Sequence, residues 1–453
     1  MTGHPRRESL ALSEKPPGPE PNHRSSEKGE IDNGFHEKDE PRLSNTSPKE
    51  DRKGYHLSYR PDGPCPIDIG TTVNERYVVL YRLDEFEYPL HDSWLARDQK
   101  SSELVQLDIF TADSSEKAAN GHHAVYFRNF LEELEPSKLE FIQNRLDEFW
   151  IDGADGRRIC RVLEFAFLDP LEWQRNYVEE WYSTEDCRNL ILALLQGLSE
   201  IHDQGLVHDD VAPENLVFTS RDANALSDQE LRDLLGEPYI EPISNATKAS
   251  KPGHILPETL TYPIDTDPLV KLKRQAKLRA FPPLLKCGEE RPEPLFFRDP
   301  DDDDISDDDE IWVDYTAPEL FNRSRNTVPE ASQDVWAAAC VIFEIVTGYQ
   351  LFSGFGRPLI SEMEETLGVI PNKLRREWGL GWRLIPWSPT NPLSRRIRHR
   401  FDVGKIGEKP QPIFNDEEHD LLVDLLEQML EYDPSKRITS KEALKHPWFS
   451  LRS

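Results

Sequence analysis

The sequence predicts an α+β fold in which a small β-rich part precedes a larger α-rich part. Two observations carry the prediction. From about residue 73 to 110, short runs alternate apolar and polar side chains, the period-2 signature of antiparallel strands. After residue 183 the apolar period lengthens to that of helices, and the segments carry helix start and stop signals. The chain has 453 residues, 37% of them hydrophobic, enough for one large domain of two lobes or for two domains.

Residues 1–60 are rich in Pro, Ser, Glu, Lys and Arg and poor in aromatics. Such a segment buries too little apolar surface to offset chain entropy, and a disordered tail is expected there. Order is expected from about residue 65. "RYVVLYRL", "DSWLARD" and "ELVQLDIF" read as strands, and "AVYFRNFLEEL" as a helix. "EFWIDG" and "RRICRVLEFAF" then form a hairpin across "GADG".

The helical part opens with "STEDCRNLILALLQGLSEIHDQG", where a Ser-x-x-Asp cap starts the helix and Gly ends it. "ASQDVWAAACVIFEIVTG" is apolar nearly all round, as a buried helix is. "DEEHDLLVDLLEQMLEYDP" and "TSKEALKHPWF" supply the last helices. Between residues 219 and 312 lies a segment of little periodicity with one short helix, "SDQELRDLLGEP". A stretch of that length inside a compact domain reads as an insertion or functional loop. It contains a basic cluster, "VKLKRQAKLR", and an acidic run at 299–310, "DPDDDDISDDDE".

The formal net charge of −30 argues against direct nucleic-acid binding, which needs a cationic surface, and suits basic partners. No apolar run reaches the roughly 18 residues of a membrane span, and the N-terminus has no signal-peptide core. The five cysteines (Cys65, Cys160, Cys187, Cys287 and Cys340) have no CxxC spacing and read as free thiols. A cytoplasmic or nuclear location is expected.

The chemistry-bearing stretch is "GLVHDDVAPENLVF". His208, Asp210 and Asn215 form the pattern His-x-Asp-x-x-x-x-Asn. Phosphoryl transfer needs a carboxylate to take or orient the proton of the attacking hydroxyl, and an oxygen ligand for Mg²⁺ close by. Asp210 and Asn215, five apart, are candidates for those two roles. Three further motifs follow in order: "YTAPEL", "QDVWAAACVIFEIVTG" and "YDPSKRITSKEALKHPWF".

With these motifs the chain resembles the eukaryotic protein kinase family, and most closely the SR-protein kinase group with its divergent fungal members. The resemblance implies a bilobal fold: an N-lobe at 65–168 and a C-lobe at 169–450 that carries the insertion. It implies structural roles for His208, for Asp334 in the buried helix and for Glu319 of Ala317-Pro318-Glu319. Arg437 would pair with Glu319. Active members use ATP and Mg²⁺ on Ser/Thr substrates, here Arg/Ser-rich proteins.

Several positions depart from the family pattern. The segment that should be Gly-rich, Leu80 to Ala96, contains no glycine and carries Asp84, Glu85 and Phe86 instead. The lysine that holds the phosphates aligns with Asp108. A carboxylate about 4 Å from a phosphate repels by about 4 kcal/mol at an effective dielectric of about 20. Lys117 lies outside that strand. Glu132 and Glu133 compete with Phe127 for the position of the lysine's helical partner. In the catalytic loop Asp209 replaces Arg, and Ala212 replaces the lysine that neutralises the transferring phosphoryl group. No Asp-Phe-Gly occurs. The strand at "PLVKLKRQAKLRAF" would place Arg274-Gln275-Ala276 there, while "EPLFFRDPD" would offer Asp299 as a metal ligand.

The acidic run reads as a solvated loop, with a docking strip for Arg-rich tails or a segment over the cleft as alternatives. Ser306 within it fits an acidophilic kinase site. The basic cluster reads as a nuclear import patch or as the run's internal partner. Two functional readings follow: a pseudokinase that acts by binding proteins, for which no cofactor is assigned, or an active Ser/Thr kinase with substitute groups that uses ATP and Mg²⁺. A small-molecule phosphotransferase would share the loop but not "YTAPEL" or "HPWF".

Overall fold

The structure, a computed structural model, describes residues 65–83, 91–119, 139–153, 156–167, 170–171, 182–244, 256–279, 285–288, 315–321, 328–353, 357–377, 392–398 and 414–451. Residues 84–90 with Asp84, Glu85 and Phe86, the expected helix at 124–134 with Phe127, Glu132 and Glu133, and the acidic run with Asp299 and Ser306 lie outside these residues.

The N-lobe is one twisted antiparallel sheet of six strands in the order β1-β2-β3-β4-β6-β5. These are β1 (Thr72–Val73), β2 (Tyr77–Arg82), β3 (His91–Asp98), β4 (Leu104–Phe110), β5 (Arg145–Gly153) and β6 (Gly156–Glu164). A short helix, α1 (Ala112–Ala119), follows β4. Alternation divides the side chains of β4 between two faces. Val105, Leu107 and Ile109 join Tyr77, Val79, Trp94 and Val162 in a core covered by Cys65, Ile67 and Val73. The opposite face of β4 carries Gln106 and Asp108, which are equally buried.

Past β7 (Ala166–Phe167) the chain becomes helical with α2 (Thr184–His202). Ser183 caps α2 through a reciprocal capping box with Asp186, as the Ser-x-x-Asp pattern predicts. Next come β8 (Leu206–Val207), a 3₁₀ turn at Pro213–Asn215, and β9 (Leu216–Thr219). The insertion follows, with α3 (Arg221–Ala225), α4 (Asp228–Leu235), β10 (Ile240–Pro242) and β11 (Thr259–Thr261). It ends at β12 (Gln275–Leu278), which pairs antiparallel with β9; β13 (Leu285–Lys286) pairs with β8.

The C-terminal helices are α5 (Ala331–Thr347), α6 (Arg357–Leu367), α7 (Asn372–Glu377), α8 (Leu393–Arg396), α9 (Asp416–Met429) and α10 (Ser440–Ala443). From Gln333 to Thr347 every side chain of α5 is buried, so this helix is the axis of the C-lobe core. Trp336 stacks on Phe352 with ring centres 6.1 Å apart.

The lobes meet along the segment 139–144. Gln143 N donates to Leu278 O at 2.9 Å, and Leu278 N donates to Phe141 O at 2.8 Å. The contact requires Gly197 on α2. A Cβ there would lie 3.0 Å from Phe141 O and 3.1 Å from Leu278 Cβ, so a larger residue would push the helix off the strand.

Candidate active site

The floor of the cleft is built around Asp334. This carboxylate, 1% exposed, sits in the first turn of α5 and reaches the loop after β8. It accepts from His208 N at 2.7 Å, Asp209 N at 2.8 Å and His202 Nε2 at 2.8 Å. Two backbone amides on one carboxylate fix the path of the loop. Asp209 needs such support: its φ is +65°, the left-handed region that non-glycine residues adopt only at a cost of order 1–3 kcal/mol.

His208 is fully buried, and its Nε2 donates to Arg279 O at 2.6 Å. Asn215 Nδ2 donates to Asp210 O at 2.8 Å and to Asp210 Oδ2 at 2.9 Å. Asp210 and Asn215 are therefore in direct contact. Lost hydration raises the Asp210 carboxyl above its ordinary value, while His208 and Asn215 act against this. The residue is exposed on the loop surface, so water screens the effect and no stability is assigned to it. Ala212, in place of the expected lysine, is buried and offers no charge.

The roof is the inner face of β4. Asp108 stands opposite Ser93 on β3 and Arg161 on β6. One carboxylate oxygen accepts from Ser93 Oγ at 2.7 Å and Gln106 Nε2 at 2.8 Å. Gln143 continues the network, donating to Glu164 O at 2.8 Å and to Gln106 Oε1 at 3.4 Å. Arg161, also buried, donates to Glu148 Oε2 at 2.9 Å and lies over the Phe110 ring. Asp108 is thus a charge held by internal donors, in the strand where the resemblance places a phosphate-binding lysine.

A different strand brings a buried lysine to the junction of the lobes. Lys277 on β12 sits 2.9 Å and 2.8 Å from the two carboxylate oxygens of Glu164. Lys117 is on α1 and pairs with Asp113 at 2.8 Å. Sequence reasoning missed Ser93, Gln106, Gln143, Arg161, Lys277 and Glu164. A signal was present in "LVQLDIF", where Gln106 and Asp108 interrupt one face of an otherwise apolar strand.

The placement of Arg274-Gln275-Ala276 at the metal motif is corrected. Gln275 and Ala276 lie inside β12, paired with Thr219 and Phe218, so a motif that follows this strand begins at Arg279. Arg279 is held by its backbone: its N donates to Asn215 O at 2.7 Å and its O accepts from His208. Its Nε is buried without a hydrogen-bond partner.

This donor set does not fit the Mg²⁺ that kinase chemistry uses, which binds oxygen ligands, carboxylates first. After β12, next to Asn215 along the backbone, the chain has Arg279, which supplies no carboxylate. Among the described residues no group of three or more His, Cys, Asp or Glu could hold a metal ion. No step through a metal is derived.

The geometry of the loop, the buried helix and the two-armed contact of Arg437 with Glu319, at 2.8 and 3.0 Å, agrees with the similarities this chain shows to known proteins. The protein kinase domain family model matches residues 309–449. The dual specificity protein kinase CLK2 of Homo sapiens is 23% identical over 399 residues, covering 86% of this chain and 67% of CLK2. CLK4 of Mus musculus is 34% identical over 145 residues, which are 30% of this chain and 28% of that protein. A crystal structure of a kinase domain superposes with a TM-score of 0.54 at 16% identity, covering 85% of this chain and 98% of that one, a likeness of fold alone. Residues 309–449 thus match the protein kinase domain family, and the chain resembles the SR-protein kinase and CLK group within it.

Proposed function

We propose that this protein is a pseudokinase, a kinase fold that acts by binding other proteins and not by efficient phosphoryl transfer. The observation that carries the reading is Asp108. It lies on the face of β4 opposite the N-lobe core, is 4% exposed, and one of its carboxylate oxygens accepts from both Ser93 and Gln106. A phosphate placed there would meet a fixed negative charge. The usual cation of the catalytic loop is Ala212, and the position after β12 is Arg279. Losing one stabilising donor from such a site lowers rate by about 10²–10³.

The net charge of −30 favours partners with Arg-rich or otherwise basic segments, met through long-range attraction. The scattered cysteines, with no CxxC spacing, suit a reducing cytoplasmic or nuclear compartment.

A second reading has its own support. The Asp210–Asn215 contact is assembled, and Lys277 is a buried lysine from another strand. An active kinase of this design would use ATP and Mg²⁺ on Ser/Thr substrates, with Lys277 released from Glu164 to meet phosphate.

Calorimetry of the full chain with ATP and Mg²⁺, followed by label transfer to an Arg/Ser-rich peptide, separates the two. The pseudokinase reading expects no heat of binding in the micromolar range and no transfer. Transfer abolished by both Asp210→Ala and Lys277→Met would replace it with the second reading.

A further inference from the structure

The insertion between β9 and β12 is rooted in the C-lobe and fastened to the N-lobe. Its base is closed where Thr219 faces Gln275 and Ser220 Oγ donates to Lys273 O at 2.7 Å. It shares the main core and adds a small cluster of its own. Leu231 of α4 and Leu269 of a 3₁₀ turn at Asp267–Lys271 are fully buried, and Leu260 packs with Tyr262.

Three groups of contacts run from this insertion to the N-lobe sheet. Arg97, near the end of β3, donates through Nη2 to Leu226 O at 2.8 Å and through Nε to Asp228 Oδ1 at 3.0 Å. Asp68, ahead of β1, accepts from Thr259 N at 2.9 Å, Thr259 Oγ1 at 2.7 Å and Glu258 N at 3.2 Å. On β2, Tyr81 Oη donates to Gly236 O at 2.8 Å, and Arg82 O accepts from Ile264 N at 2.9 Å. Arg82 and Pro263 form a parallel bridge, so the insertion extends the sheet at the last residue of β2.

The placement of these anchors sets what they do. β9 leaves directly from Asn215, so the lower root is the catalytic-loop hairpin. Arg82 ends the strand that precedes residues 84–90, where a kinase would cover phosphates, so the upper anchor is the opposite jaw. Two-lobed enzymes open and close by rotating such jaws about a hinge. A folded segment tied to both removes that freedom, and its charge-assisted bonds are worth more than neutral ones.

We propose that the insertion, through residues 220–244 and 256–274, is an interlobe strap, which holds the two jaws of the cleft at one separation whether or not a ligand is present. This inference concerns the posture of the lobes and does not depend on whether the protein transfers phosphate. It would make the binding surface preformed, with no closure to be driven by a nucleotide.

The test uses the full chain with one spin label on exposed Cys287 in the C-lobe and one on Lys100→Cys in the exposed β3–β4 turn. Distances are read by double electron–electron resonance. Intact protein should give one narrow distribution, unmoved by ATP with Mg²⁺. Arg97→Ala with Asp68→Ala, and separately cleavage at a protease site introduced after residue 248, should broaden it. Cleavage is performed after purification, so a folding defect in the double variant cannot mask the result. Amide exchange at Ile264, whose N–H bonds Arg82 O, should rise about ten-fold or more in the cleaved double variant. A distribution that stays narrow after both changes, or one that is broad or nucleotide-dependent in intact protein, overturns the strap.

Discussion

Arg437 holds Glu319 with both arms of its guanidinium, Nη1 to Oε1 at 2.8 Å and Nη2 to Oε2 at 3.0 Å. The arginine side chain is 0% exposed, and the glutamate 17%. Arg437 also donates to Ser332 O and Glu431 O and lies over the Trp336 ring, so one side chain ties the end of "YTAPEL" to α5 and to the segment after α9.

Removing one partner of a buried pair leaves the other charge without compensation. Arg437→Ala should therefore lower stability by about 3–5 kcal/mol in urea unfolding. A loss below about 1 kcal/mol would mean that the pair is in effect exposed. Arg437→Lys should recover little, because an ammonium cannot reproduce the two-armed grip.

Asp334 carries the catalytic loop on its carboxylate. Asp334→Ala leaves two backbone donors and His202 without their acceptor, in a site 1% exposed. A loss of about 3 kcal/mol or more is expected, with faster amide exchange at His208 and Asp209 than elsewhere in the C-lobe. Uniform acceleration across the lobe would show that Asp334 is only a core residue.

Asp108→Lys puts the family's usual residue type back in β4. It also sets a second cation opposite buried Arg161 and leaves Ser93 Oγ–H and Gln106 Nε2 without their shared acceptor. The variant should be less stable than the parent by about 2 kcal/mol or more and should gain no ATP affinity by calorimetry. Tight ATP binding by this single variant would show that the charge at 108 was the sole obstacle.

Asp98 sets an acid limit for the N-lobe. Hydrogen bonds from Arg76 are the largest influence on it and, with Lys100 N and Ser101, hold its carboxyl far below the usual carboxylate range. A depressed folded pKa means the stabilisation is present above the unfolded value of about 3.9 and is lost as pH falls through the folded value. Arg76 is about a third exposed, so water discounts the size of the effect. Asp98→Asn should lower thermal stability at pH 7 and flatten its decline below about pH 4, so that variant and parent converge in acid. An unchanged acid limb would assign it to other carboxylates.

Legibility differed from element to element. The caps at Ser183, Ser227, Asn415 and Thr439 lie within three residues of their partners, and such local chemistry can be read directly from the chain. The wholly apolar stretch of α5 likewise announced a buried helix. The start of β12 was misread because "VKLKRQAKLR" has no clean alternation. Only its pairing with β9 assigns Gln275–Leu278 to the strand and makes Arg279 the residue that meets His208 and Asn215.

By itself the sequence determined the α+β order, the caps, the buried axis of α5 and the motif positions of His208, Asp210, Asn215, Glu319, Asp334 and Arg437. Those features follow from periodicity and residue type over short spans. The tertiary structure decided that Ser93, Gln106 and Asp108 satisfy one another, that Lys277 is taken by Glu164, and that the insertion binds both lobes. These are relations of register and packing between residues up to about 190 positions apart. Their energies exist only once the strands are paired and water has been excluded between them.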